Sequence, residues 1–143
     1  MRIDIATGSL TFLGLVISCK TTLEVAKQCY SSLNLTTRVE DMQNDWKWLR
    51  IGETLDEGFY VTLSLAFSKE KLSIITFNVS DKKGSLSTWE TWSEQEERGK
   101  VAFMNDWLSQ KVGGGRKYDW GEIWCEYDPK GASAGAGIRY FQG

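Results

Sequence analysis

Histidine is missing altogether from this 143-residue chain, proline occurs once, and cysteine occurs three times. Without histidine there is no Ser-His or Cys-His nucleophile pair, no His-ligated zinc and no imidazole proton shuttle near neutral pH. A structural zinc needs four ligands and here would have to recruit carboxylates, a poor match to that metal. The sequence therefore points away from an enzyme, and neither a metal nor a cofactor is expected. Cys19, Cys29 and Cys125 are odd in number, widely spaced and form no Cys-x-x-Cys pair. That pattern fits reduced, buried thiols in a cytoplasmic protein better than a disulfide framework.

Basic charge is not in excess either. Seventeen basic residues against nineteen acidic ones give a net charge of −2. A nucleic-acid binder normally carries a basic face, and membrane attachment through charge needs a polybasic patch, so neither partner is expected. No apolar stretch approaches the roughly 20 residues of a transmembrane helix. Residues 10–17 are largely apolar, and Val16-Ile17-Ser18-Cys19 loosely resembles a lipoprotein cleavage box. Asp4 offsets Arg2 where an export signal requires positive charge. The expectation is a buried strand in a cytoplasmic protein.

What the chain does have is tryptophan, seven in all. These large rigid side chains carry cores and the hot spots of interfaces. At this length a single domain spanning residues 1–143 is expected, with roughly 68–70% of the unfolded surface buried. Apolar content of 41% and charged content of 25% are those of an ordinary globular chain.

Local patterns predict the elements. Residues 9–17 read as a first strand. Thr21 with Glu24 forms a capping-box signature that opens a helix to about Leu33. Residues 34–44 are polar and read as loop. Residues 46–51 alternate, with Trp46, Trp48 and Arg50 opposite Leu49 and Ile51. Residues 59–67 and 72–79 form a hairpin, with Val61, Leu63 and Leu65 facing inward. Ser93 with Glu96 caps a second helix that ends at Gly113-Gly114-Gly115. Residues 117–128 and 135–141 complete the set. The order β-α-β-β-β-α-β-β predicts an α+β fold: a mainly antiparallel sheet of about six strands with two helices packed on one face.

Residues 117–128 hold the first candidate surface. Ile123, Cys125 and Tyr127 suit a core face, while Trp120, Glu122, Trp124, Glu126 and Asp128 interleave rings with carboxylates. Such a face suits a basic protein surface, with rings as anchors and charges setting orientation. The alternative is a covered face, with tryptophans in the core and the acids paired to Arg116, Lys117 or Arg139. Catalysis by the carboxylates fails on geometry. Glu122 and Glu126 lie about 13 Å apart along a strand, whereas glycosidase acids sit about 5–9.5 Å apart.

Other candidates are weaker. Neither glycine run, 113–115 or 131–137, opens onto a helix, so neither cradles a phosphate. Trp89, Trp92, Glu90 and Glu94 precede the second helix as either a hydrophobic staple or an acidic-aromatic rim. Trp46, Trp48 and Arg50 are core or a cation–π cluster. The small-residue strand 135–140 could be an edge that pairs with another chain; a monomer or weak dimer is expected.

The tail from Tyr118-Asp-Trp-Gly-Glu-Ile-Trp-Cys-Glu-Tyr-Asp-Pro-Lys-Gly131 to Gly137-Ile-Arg-Tyr140, together with the size, resembles the small cytoplasmic immunity proteins of bacterial contact-dependent or polymorphic toxin systems. The likeness lies in size, acidity and aromatic content, with no single diagnostic motif. It implies one-partner inhibition of a cognate toxin domain, often a nuclease with a basic active site, as in contact-dependent growth inhibition. Trp120 and Trp124 would then be the anchors, and Glu122, Glu126 and Asp128 would meet Lys or Arg on the toxin. From a different class, the tryptophans would serve as stacking platforms in a small-molecule or carbohydrate-binding module.

Overall fold

A computed structural model describes residues 1–84, 93–131 and 133–141. Its elements in chain order are β1 (Arg2–Ile3), β2 (Leu10–Phe12), β3 (Leu15–Ile17), α1 (Leu23–Ser32), β4 (Thr37–Asp41), β5 (Trp46–Asp56), β6 (Phe59–Ser68), β7 (Lys71–Ser80), α2 (Glu94–Val112), β8 (Lys117–Tyr118), β9 (Gly121–Asp128) and β10 (Ser133–Tyr140). The fold is α+β, and its main sheet has seven antiparallel strands in the order β4-β5-β6-β7-β10-β9-β8. A separate three-stranded sheet joins β1, β2 and β3.

Three departures separate this from the expected six-stranded sheet: one takes the predicted first strand out of the main sheet, and two add strands to it. The predicted first strand is a hairpin, because Leu13 and Gly14 both adopt positive φ (51° and 87°). That is the backbone of a two-residue primed turn. The predicted loop 34–44 contains β4, which pairs with β5. The long strand 117–128 breaks at Asp119-Trp120 into β8 and β9. The helices keep their predicted places, with one shift. Thr22 rather than Thr21 caps α1, accepting the Val25 N–H, while Thr21 Oγ1 accepts the Ser18 N–H. Ser93 caps α2 by accepting the Glu96 N–H, and Gly113 (φ 79°) stops it.

Strand alternation and register build the core. Cross-strand pairing lines up Val39, Leu49, Leu65, Ile75, Ile138 and Ile123 on one face. Of these, all but Val39 are buried. Burying each such side chain contributes roughly 1.5–3 kcal/mol relative to exposure. The helices and the small sheet close over this face: Ala26 and Tyr30 of α1, Met104, Trp107 and Leu108 of α2, and Leu10, Phe12 and Ile17 join one cluster with the sheet residues. Trp107 meets Phe77 edge-on at 6.0 Å, and Phe103 meets Phe59 at 6.1 Å. Glu97 is buried on α2, where its carboxylate accepts the Ala134 N–H at 3.0 Å and pairs with Lys100 at 2.9 Å. A charge can be buried there because both partners are supplied.

Two buried tyrosines tie the small sheet and its loop to the rest. The Tyr30 hydroxyl donates to Phe12 O at 3.0 Å and the Tyr140 hydroxyl to Gly8 O at 2.6 Å. Burial raises both hydroxyls well above the ordinary tyrosine range. An unfolded tyrosine ionises near pH 10, whereas these two stay protonated in the folded chain. Stability is therefore complete below about pH 10 and falls as pH rises beyond it, by up to about 1.4 kcal/mol per pH unit per tyrosine. Urea midpoints at pH 9, 10 and 11 should decline accordingly, and Tyr140→Phe should roughly halve the decline, leaving the share of Tyr30. An unchanged slope in that variant would remove Tyr140 from the account.

Candidate functional site

The same alternation that builds the core creates a second face. Even-numbered residues of β4, β6, β7 and β9, with odd-numbered residues of β10, point away from the helices. In one row the register places Glu40, Trp48, Ala66, Ile74, Arg139 and Glu122 side by side. The next row holds Arg38, Arg50, Ser64, Thr76, Gly137 and Trp124. Among the described residues, neither helix lies on this face. Its polar and aromatic members are half-buried or exposed.

Two similar clusters flank it. On the β5 side, the Arg50 guanidinium stacks 4.4 Å from the Trp48 ring centroid and reaches Glu40 at 3.4 Å. On the β9 side, Arg139 lies 5.5 Å from the Trp124 ring and bonds Glu122 at 3.0 Å. Stacking on an indole holds a guanidinium in place while leaving its N–H groups available. β5 and β9 are four strand spacings apart, about 19 Å. Between them the floor carries Thr62, Ser64, Ala66, Ile74, Thr76, Asn78 and two glycines. Nothing lies within 4 Å of where a Gly135 side chain would begin.

Gly137 shapes this floor. A Cβ there would sit 2.3 Å from the Trp124 ring and 2.2 Å from Ile75 O. The indole of Trp124 therefore occupies the space that a side chain at the glycine of the neighbouring strand would need. The close approach that a glycine permits at this point of β10 seats a tryptophan. That strand is interior, paired on both sides by β7 and β9, so it is not the free edge that the sequence allowed.

Of the candidate residues, Glu122, Trp124, Glu126 and Asp128 share the open face, as the alternation expected. Glu122 is already paired with Arg139. Glu126 and Asp128 are exposed and form no salt bridge among the described residues, although Asp128 Oδ1 accepts the Lys130 N–H of the following turn. Trp120 does not join them. It occupies the β8–β9 turn, stacks on Tyr118 at 4.9 Å, lies 5.9 Å from Tyr140, and donates Nε1–H to Ile5 O at 2.7 Å. Its ring fills the space beside Gly8, where a Cβ would come within 2.5 Å. Trp120 thus clasps the N-terminal loop to the sheet. Trp89, Glu90 and Trp92 lie outside the described residues.

The three cysteines are free, but they are not the buried thiols expected: Cys19 is exposed, and Cys29 and Cys125 are half-buried. Cys125 Sγ contacts Val101 O at 3.5 Å beneath α2, and burial pushes its thiol up to about 11, against a lowering by Arg116. No group of three or more metal-ligating side chains occurs among the described residues. No described helix is long and apolar enough to cross a membrane. Comparison with protein-family models, curated proteins and solved structures gives no match.

Sequence reasoning missed Arg38 and Glu40, which fell in a predicted loop, and the polar floor of β6 and β7. The signal for the floor was present, since Thr62, Ser64, Thr76 and Asn78 alternate with apolar residues in the two central strands. Gly137→Ala should lift Trp124 from its seat and cost about 1–3 kcal/mol, the usual range for overpacking. Gly135→Ala should cost far less. Urea denaturation with tryptophan emission checks both: equal costs for the two variants would mean that Gly137 does not seat the ring.

Proposed function

We propose that this chain is a non-enzymatic protein-binding domain, an immunity protein that neutralises a cognate bacterial toxin in the cytoplasm by docking it on the open face of the main sheet. One observation carries the reading: a polar sheet face with no described element over it, bearing two tryptophans held by arginine on either side of a small-residue floor. Tryptophan and arginine are the residues most enriched at interface hot spots. A floor of Ser, Thr, Ala and Gly lets a partner approach the backbone closely. The acidic end at Glu126 and Asp128 suits Lys or Arg around a toxin active site, including that of a nuclease.

The carbohydrate-module reading is less well supported by the same geometry. Sugar platforms use free indole faces. Here Arg50 stacks against Trp48, and Trp124 lies between Arg139 and the backbone at Gly137.

The test uses the tagged protein and the toxin domain encoded beside it. Trp48→Ala and Trp124→Ala should each weaken the complex by about 2 kcal/mol, roughly 30-fold in Kd, and reduce protection of growing cells. Trp120→Ala should instead lower the thermal midpoint with a smaller loss of affinity. Full affinity in both Trp48→Ala and Trp124→Ala would rule out this face as the docking surface.

A further inference from the structure

The two ends of the open face differ in charge: Glu126 and Asp128 leave the β9 end acidic, and the β4–β5 end presents a pair of arginines. Pairing of β4 with β5 seats Arg38 directly across from Arg50. Like charges directly opposite on antiparallel strands destabilise the pair. They share one carboxylate: Glu40 lies 2.5 Å from Arg38 and 3.4 Å from Arg50. One positive charge is left in excess. Both arginines line a cleft of about 490 Å³ with Thr62, Ser64, Thr76 and Asn78. Glu53 also lines it and keeps its negative charge while accepting the Gly84 N–H at 2.8 and 3.1 Å. It forms no salt bridge with either arginine, so the positive excess is local to the arginine pair and not a property of the whole cleft.

Arg50 is set in place before any ligand arrives. Trp48 holds its plane, and one terminal nitrogen donates to Ser64 Oγ at 3.3 Å. A guanidinium fixed this way presents a planar fork of donors suited to a carboxylate. We infer that the Arg38–Arg50 cleft is the subsite for an Asp or Glu side chain of the docked protein, with the floor hydroxyls and the Asn78 amide meeting the polar backbone around it. This rests on the docking reading of the open face.

A protein side chain fits better than a free small acid for a geometric reason. Small-molecule sites cover 70–90% or more of their ligand. Among the described residues this cleft has the sheet as its floor and runs on into the rest of the open face. The opposite end carries Glu126 and Asp128, five strand spacings from β4, or about 24 Å. The complementary partner surface is therefore dipolar, with acid over Arg38 and Arg50 and base over Glu126 and Asp128. That arrangement admits one orientation and penalises its reverse.

Two blocked tripeptides, Ac-Ser-Glu-Ser-NH2 and Ac-Ser-Gln-Ser-NH2, and inorganic phosphate serve as probes against the 15N-labelled protein. The glutamate peptide should give saturable shifts at the Arg38 and Arg50 Nε–H groups and at the Ser64 amide. Binding should weaken at least fivefold with the glutamine peptide and in Arg38→Gln, whose largely exposed side chain can be replaced without loss of fold. Equal shifts from both peptides, or phosphate binding as tightly as the glutamate peptide, would overturn the carboxylate subsite. With the toxin domain, Arg50→Glu should weaken the complex at least tenfold. Unchanged affinity in Arg50→Glu alongside a loss in Trp124→Ala would overturn the subsite but keep the docking face, and unchanged affinity in both would remove the face as well.

Discussion

Register in the seven-stranded sheet is the constraint on which the rest of this molecule depends. Side chains alternate across a strand with period two, so a slip of one residue exchanges every inward and outward position. Here the apolar row from Leu49 through Leu65, Ile75 and Ile138 to Ile123 guards against that slip, because it would place these side chains in water. The polar rows beside it follow without a separate energetic cause. Trp48, Arg50, Arg139 and Trp124 stand where they do because the core residues next to them in sequence must face the helices.

This coupling explains how a face with little stabilising role of its own can be so well ordered. Surface ion pairs such as Arg139–Glu122 and Arg50–Glu40 contribute at most about 1 kcal/mol each. They could not set strand alignment and do not need to. The β5 bulge between Ile51 and Thr54 shows the same logic in reverse. The extra residue changes the parity of β5, so Leu55 faces outward and is 58% exposed while Thr54 pairs with buried Val61. Arg50 lies just before that shift, and so it stays on the open face.

Legibility from sequence follows the reach of each interaction. The β6–β7 hairpin, the Ser93 cap and the Gly113 stop are local, and they stand where the residues predict. β4 was missed because Thr37-Arg-Val-Glu-Asp41 has one large apolar residue and becomes a strand only by pairing with β5. The break at Trp120 was missed because alternation continues through it in the sequence. What breaks it is three-dimensional: a Gly121 Cβ would lie 2.0 Å from Arg139 O, and the Trp120 indole is drawn to Gly8 and Ile5 O. The acids and Trp124 of β9 were legible as a face, but their complement was not. Arg38 beside Arg50, and Trp124 over Gly137, are cross-strand neighbours 12 or 13 residues apart in sequence, visible only once the register is known.

The edges of the sheet narrow the ways in which a partner can engage it. An exposed edge invites strand addition unless it is short, charged or covered. β8 is two residues long, and β4 alternates Arg38, Glu40 and Asp41 around a single valine. Neither offers a long flat apolar row for another strand. The strand with the smallest side chains, β10, which would make the best template, is enclosed between β7 and β9. With the edges guarded and the apolar face filled by α1, α2 and the small sheet, the broad surface left among the described residues is the open face. A partner that lies across it meets acid at one end, a fixed arginine pair at the other and almost bare backbone at Gly135 between them, so recognition depends on matching a charge pattern as well as on burying area.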